Sequence, residues 1–195
     1  MTHTLISRPV ALAAALVLMT SSVAGAAEFV PVPEDAQDGQ SLAPTLAIEA
    51  DGITATFTSE GGDGLAIAGK AGKQVGLGIN GSKASAINVG ETLLVTFDQD
   101  VKIKRIEVGY VGDEDLAVVE IPHDGDKLKL KLGGEAGSDG AAPQGVKIHK
   151  NFRNVKFNGK GAVTIPAGEA IRFTNESSTD NNYFVQLIEV EAAQG

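Results

Sequence analysis

The chain has 195 residues, no cysteine and a formal net charge of −9 at pH 7. This acidity argues against binding to nucleic-acid phosphates or to anionic membranes. Without cysteine there is neither a disulfide nor a thiol nucleophile, so stability must come from a hydrophobic core, and a chain of this length can bury one.

The first 26 residues have the pattern of a secretory signal peptide. Arg8 lies in a short polar start, an apolar run covers residues 10–19, and Ala24-Gly25-Ala26 has the small-residue form of a cleavage site. A membrane-spanning helix needs about 20 apolar residues, which is longer than this run. We therefore expect a mature chain of residues 27–195, secreted or periplasmic, and the absence of disulfides in an exported chain favours a bacterial source.

Residues 27–45 contain three prolines and no clear hydrophobic period. This composition predicts an extended lead-in rather than a folded element. We expect a single domain to follow it, over residues 46–192.

Alternating apolar and polar residues indicate strands from there onward. Ile53, Ala55 and Phe57 alternate with threonines, and in residues 127–132 three leucines alternate with three lysines. A period of two places one set inward and the other in solvent. No comparable helical period occurs after the signal, so the sequence predicts an all-β domain.

Turn residues predict how the strands pair. Residue pairs that tolerate positive φ separate apolar runs at four places: Asp51-Gly52, Asn80-Gly81, Asp124-Gly125 and Asn158-Gly159. Within residues 101–110 the apolar phase slips by one residue, which is typical of a β-bulge. These features predict an antiparallel β-sandwich of jelly-roll or galactose-binding-like type.

Two stretches of the chain resemble each other. "INVGETLLVTF" begins at Ile87 and "IPAGEAIRFTN" begins at Ile165, so Glu91 corresponds to Glu169. We interpret the repeat as architecture: a glycine supplies a turn at positive φ, and an exposed glutamate begins the next strand. Paired catalytic carboxylates or paired ion ligands are the alternative.

The same stretches resemble a group of exported bacterial modules. Gly78-Ile79-Asn80, Asn88 with Gly90-Glu91, Phe97-Asp98 with the strand at 101–108, and Ile165-Pro166-Ala167-Gly168 are similar to β-sandwich modules of Gram-negative surface proteins, including exosortase (PEP-CTERM) substrates. The resemblance implies a sandwich fold and a surface address. The chain departs from the sorted proteins at its end, "IEVEAAQG", which has neither an apolar anchor nor a basic cluster.

Signatures of catalysis are absent from the sequence. There is no Gly-x-Ser-x-Gly, His-Glu-x-x-His or phosphate-loop motif. His123 and His149, the histidines that remain after the signal, are far apart and typical of surface positions. We therefore predict a protein that is not an enzyme and needs no cofactor, with a hydrolase using two acidic residues as the third hypothesis.

Clustered acidic residues in turns suggest calcium as a possible structural ion, because Ca²⁺ takes oxygen ligands from loops. The alternative is that each cluster is a solvated turn that also protects an edge strand. The candidate ligands are Asp98 and Asp100, Asp113 and Asp115, and Asp124 and Asp126.

A structural or interaction module at the cell surface or in the periplasm is the first functional hypothesis, with an extracellular polysaccharide or another surface protein as partner. The second is a carbohydrate-binding module, although the chain has no tryptophan and only two tyrosines. The polar and aromatic residues assigned to a ligand rim are Tyr110, His149, Arg153, Asn154, Asn181, Asn182 and Tyr183.

Overall fold

A computed structural model describes most of the chain after the predicted signal. The described residues are 26–32, 36–69, 75–81, 85–109, 111, 116–133, 137–139, 146–148, 154–157, 163–177 and 182–193. They form strands joined by turns, and none of them is helical.

The strands form two antiparallel sheets that pack face to face. The eight-stranded sheet consists of β1 (Ala27–Phe29), β4 (Leu65–Gly69), β5 (Val75–Ile79), β7 (Val101–Gly109), β11 (Val146–Ile148), β12 (Asn154–Phe157), β13 (Thr164–Ile165) and β15 (Phe184–Ala192). The seven-stranded sheet consists of β2 (Thr45–Ala50), β3 (Ile53–Glu60), β6 (Thr92–Phe97), β8 (Leu116–His123), β9 (Asp126–Gly133), β10 (Gly137–Asp139) and β14 (Ala170–Asn175). The predicted antiparallel β-sandwich is confirmed.

The core lies between the sheets and follows the predicted alternation. In β3, Ile53, Ala55 and Phe57 are buried while the intervening threonines are partly exposed. In β9 all three leucines are buried, and the lysines between them reach solvent. Phe29 and Phe97 approach across the sandwich with ring centroids 5.8 Å apart.

Two of the four predicted tight turns form hairpins. Asp51 and Gly52 have φ angles of 51° and 74° and join β2 to β3. Asp124 and Gly125 have φ angles of 50° and 80° and join β8 to β9. Positive φ at both central residues is the type I′ geometry that matches the strand twist.

The Asn80-Gly81 prediction was wrong. β5, which ends just before Asn80, pairs with β4 and β15, and the chain then crosses to β6 in the other sheet. Asn158-Gly159 lies outside the described residues, but the strands on either side of it, β12 and β13, both pair with β7.

The predicted bulge in β7 is confirmed. The register between β7 and β15 shifts between Glu189 and Val190, so that Lys104 has no residue opposite it. An opposite shift, at Gln186 of β15, follows a few residues away. Bulges of this kind bend a strand and increase its twist.

Described parts of the predicted lead-in, residues 27–32 and 36–45, bond to the eight-stranded sheet or lead into β2. β1 pairs with β15 and buries Phe29 completely. Further along, the backbone of Gly39, Gln40 and Leu42 bonds to the outer edge of β4. Prolines hide the strand pattern of this segment in the sequence, yet the segment adds β1 beside β15 and covers the outer edge of β4.

Candidate interaction surface

The buried polar side chains of the described residues lie around the crossover from β5 to β6, at residues 85–91. They are Glu91, Asn175 and Ser177, each less than 10 % exposed. A buried polar group is costly unless it is hydrogen-bonded, so their partners indicate what they do.

Glu91 holds the crossover through its carboxylate. Its Oε2 accepts hydrogen bonds from the backbone N–H and the side-chain Nδ2 of Asn88, each at 2.9 Å. Asn88 Nδ2 also lies 3.1 Å from the carbonyl oxygen of Ala86. The expectation of an exposed glutamate was wrong at Glu91, because the chain at Gly81 packs over it, so closely that a Cβ on Gly81 would overlap Glu91 Oε1.

Asn175 and Ser177 secure the other side of the same crossover. Asn175 donates from Nδ2 to the carbonyl of Ile87 at 3.1 Å, and its Oδ1 accepts the N–H of Ser177 at 2.9 Å. Ser177 Oγ accepts the N–H of Leu116 at 2.7 Å. These groups are therefore engaged by backbone and serve the fold.

Tyr183 is a core residue, so its assignment to the ligand rim was wrong. It is 1 % exposed, and its hydroxyl lies 2.9 Å from the carbonyl oxygen of Thr174 and 3.3 Å from that of Val118. Burial raises the pKa of the Tyr183 phenol well above its ordinary value. Three successive residues, Tyr183 to Val185, are buried because both faces of β15 are covered at this point, which a period-two pattern cannot reveal.

The other rim residues are not gathered into a described site. Asn182 is half-buried beside Tyr183, and Asn154 begins β12, opposite Glu107. Tyr110, His149, Arg153 and Asn181 lie outside the described residues. The described residues therefore do not show the predicted rim residues together at one site.

Two of the acidic residues predicted as calcium ligands instead accept backbone N–H groups. Asp98 Oδ1 accepts from Thr54 at 2.9 Å, and Asp100 Oδ1 accepts from Ala167 at 2.8 Å. Asp124 occupies the β8–β9 turn, and Asp126 is exposed at the start of β9. Asp113 and Asp115 lie outside the described residues. Within the described part of the chain, no group of three or more His, Asp or Glu side chains is placed to hold a metal ion.

Arg105 organises charges on the outer face of the eight-stranded sheet. Its guanidinium lies 3.2 Å from Glu28 of β1, 3.1 Å from Glu107 and 2.9 Å from Glu189 of β15. The contact with Glu189 is an ion pair in which the Nε hydrogen makes no hydrogen bond. The cluster links side chains of β1, β7 and β15 across this face.

The outer face of the seven-stranded sheet carries a group of partly exposed threonines, here called the threonine face. Thr56 lies opposite Thr96, and Thr92 lies opposite Thr174 in the strand pairing. Arg172 crosses this face to bond Glu60 at 3.0 Å. The members of the threonine face are Thr54, Thr56, Thr58, Thr92, Thr96 and Thr174.

β2 forms one edge of the seven-stranded sheet, beside the threonine face. Thr45, Ala47 and Glu49 are exposed, whereas Ile48 and Ala50 face the core. Among the described strands, β2 pairs with β3 alone, and its inner face packs into the core. The free edge and outer face of β2, together with the threonine face, form an accessible surface with which no described strand pairs.

Comparisons with protein-family models, with characterised proteins and with solved structures found no match. In the described part of the chain, no helix is long and apolar enough to cross a membrane.

Proposed function

We propose that this protein is an exported, non-catalytic β-sandwich that acts as an interaction or structural module at the cell surface or in the periplasm. The observation that carries the proposal is the exposed β2 edge beside the threonine face. An open sheet edge offers main-chain hydrogen bonds to a partner, and the adjacent side chains supply selectivity.

The hydrogen bonds of the buried polar side chains support the non-catalytic part of the proposal. Glu91, Asn175 and Ser177 all bind backbone or a neighbouring amide at the crossover. The predicted signal peptide and the resemblance to exported surface modules supply the location. Export as residues 27–195 would leave Ala27 as the first residue, which is the first residue of β1.

An experiment in the bacterial host tests this function. The full-length chain, with its signal, is produced as wild type, as Ala47→Pro and as the control Ala47→Thr, and envelope extracts are separated on native gels. We expect wild type and control to migrate as residues 27–195 within an assembly larger than one chain, and Ala47→Pro to lose that assembly. Retention of the signal, or a single-chain species in all three extracts, would contradict the proposal.

A carbohydrate-binding module is the second candidate, favoured by the hydroxyl groups of the threonine face. Threonine hydroxyls both donate and accept hydrogen bonds, as sugar hydroxyls do. Burial of Tyr183 removes one of the two tyrosines from any stacking platform. Binding of soluble polysaccharides on an array, lost in Thr56→Val with Thr96→Val and kept in Ala47→Pro, would support this candidate over the edge-directed one.

A further inference from the structure

β2 differs from the other outer strands of the described fold in length and in cover. β1, β10 and β11 have 3 residues each and β13 has 2, while β2 has 6. β4, with 5 residues, is covered by the backbone of residues 39–42. Short or covered edges prevent unwanted pairing, so a long exposed edge stands out as a pairing site.

The pairing with β3 shows which backbone groups of β2 point outward. Ala50 and Ile53 flank a two-residue turn, so they exchange hydrogen bonds, and the pattern then alternates along the hairpin. Glu49 and the next alternate residues, Ala47 and Thr45, therefore direct N–H and C=O away from β3. Among the described residues, these backbone groups make no hydrogen bond to another residue.

The opposite strand agrees with this assignment. Thr54 is paired with Glu49. Its N–H donates to Asp98 Oδ1 and its carbonyl oxygen accepts the N–H of Asp98, a residue that directly follows β6. Its backbone groups thus point away from β2, as expected for a pair of the kind that is not hydrogen-bonded.

We propose that β2 pairs antiparallel with β2 of a second copy of this chain, about a two-fold axis at Ala47. This inference rests on the proposed function as an interaction module and names the partner. In this register Ala47 lies opposite Ala47 of the second copy, and Thr45 lies opposite Glu49 of the second copy. All three outward-pointing residues then form hydrogen-bonded pairs, and the two seven-stranded sheets become one continuous sheet.

Charge and side-chain packing favour this register. An axis at Glu49 would place two carboxylates directly opposite each other, which is destabilising, whereas an axis at Ala47 separates them. On the inner face, half-buried Leu46 meets Ile48 of the second copy, so apolar surface is covered at the junction. Pro44 removes no hydrogen bond from the new strand pairing, because its nitrogen faces β3 rather than the second copy.

A second copy suits this edge better than an unrelated peptide, because the edge is self-complementary. Thr45 and Glu49 lie on either side of Ala47 at equal spacing, so the two-fold operation places neutral Thr45 opposite charged Glu49 and keeps the two carboxylates apart. The threonine faces of the two copies also lie on the same side of the joined sheet and form one larger surface.

The first test uses purified residues 27–195 in sedimentation equilibrium over a range of concentrations. We expect a reversible dimer in the wild type. Ala47→Pro removes an outward N–H that β3 does not use, and losing its two symmetric hydrogen bonds should raise the dimer dissociation constant about 5- to 150-fold. Ala47→Thr keeps the N–H and should still form the dimer, and thermal unfolding of both variants checks that the fold is kept.

The second test reads the register through charge. Thr45→Glu places a carboxylate opposite Glu49 of the second copy, and the two symmetric repulsions should raise the dissociation constant about 2- to 30-fold. Adding Glu49→Lys to Thr45→Glu makes the same pairs attractive and should restore the dimer to the wild-type level or better. High salt should reduce both effects.

Each outcome decides the proposal. A wild-type chain that stays monomeric at every concentration, or a dimer that Ala47→Pro leaves intact, overturns it, as does a failure of the double variant to restore pairing. A monomer in vitro with an assembly lost on Ala47→Pro in the host extract would overturn the second-copy partner and leave the proposed function standing. A monomer in both settings would overturn both.

Discussion

The two related stretches, residues 87–97 and 165–175, share a turn but differ in their surroundings. In each, the glutamate N–H bonds three residues back, Glu91 to Asn88 and Glu169 to Pro166, both at 3.1 Å. The glycine before each glutamate has positive φ, 86° at Gly90 and 77° at Gly168. Both features fit a type II turn, so the predicted turn geometry of the repeat is confirmed.

The glutamate side chains of the two copies have different roles. Glu91 is 8 % exposed and binds Asn88, whereas Glu169 is exposed, like the rest of its turn. The difference comes from distant neighbours, because the loop at Gly81 packs over the first copy. Similar local sequence therefore produced a similar turn, while the burial of the glutamate was decided by residues outside the repeat.

The largest expected effect is the difference between Glu91→Ala and Glu169→Ala. Glu91→Ala removes the buried carboxylate that accepts from the N–H and from the Nδ2 of Asn88, so we expect a loss of about 2–4 kcal/mol in the free energy of unfolding. Glu169→Ala should cost no more than about 0.5 kcal/mol, as at an ordinary surface position. Urea denaturation of residues 27–195 measures both.

Calcium serves as the control for this comparison. The cost of Glu91→Ala should be the same with added Ca²⁺ and with a chelator, because its observed partners are protein groups. A cost that appears only with Ca²⁺ would make Glu91 an ion ligand, and equal small costs at Glu91 and Glu169 would show that the buried hydrogen bonds contribute little.

Substituting the glycine should cost the same stability in both copies, unlike substituting the glutamate. A Cβ built on Gly90 or Gly168 meets no atom within 4 Å, so the cost of Gly90→Val and Gly168→Val comes from positive φ alone. We expect a loss of about 1–3 kcal/mol for each, with similar values at the two sites. Val89→Ala, at an exposed position in the first turn, is the matched control for denaturant titration and should be nearly neutral.

The smallest expected effect concerns Tyr183, which touches both copies. Its carbonyl accepts the N–H of Ile87 at 2.7 Å, and its hydroxyl reaches the carbonyl of Thr174. Tyr183→Phe should cost about 0.5–1.5 kcal/mol at neutral pH, because it removes the hydroxyl and keeps the ring and backbone.

Alkaline pH gives an independent reading of the same residue. Since burial raises the pKa of the folded phenol, the unfolded chain ionises first, and stability should fall as pH rises above about 10. Tyr183→Phe should lose this part of the pH dependence, and Tyr110→Phe should retain it. Unfolding is measured by circular dichroism between neutral pH and pH 11. An equal dependence of stability on pH in the two variants would contradict the assignment to Tyr183.

Sequence reasoning captured the features that depend on near neighbours. Alternation in β3 and β9, the turns at Asp51-Gly52 and Asp124-Gly125, and the slip of phase in β7 each arise from a few adjacent residues. The fold class followed from these features, because alternating strands in a domain without a helical pattern bury their apolar faces against another sheet or by closing into a barrel.

Features that depend on distant contacts were missed. Burial of Glu91 requires the loop at Gly81, and burial of Tyr183 requires cover on both faces of β15. The proline-rich start concealed β1, whose partner lies at the other end of the chain. The open edge at β2 could not be inferred either, since only the order of strands shows which one is outermost.

The pairing of β1 with β15 has a consequence for the order of events in folding. Ala27 lies opposite Val190, so the eight-stranded sheet closes only when nearly the whole chain is available. Contacts between such distant segments slow folding, because a large loop must be ordered before they form. In a chain that emerges with its N-terminus first, β1 would therefore stay without its strand partner until β15 had emerged, whereas hairpins such as β2–β3 and β8–β9 need only adjacent residues.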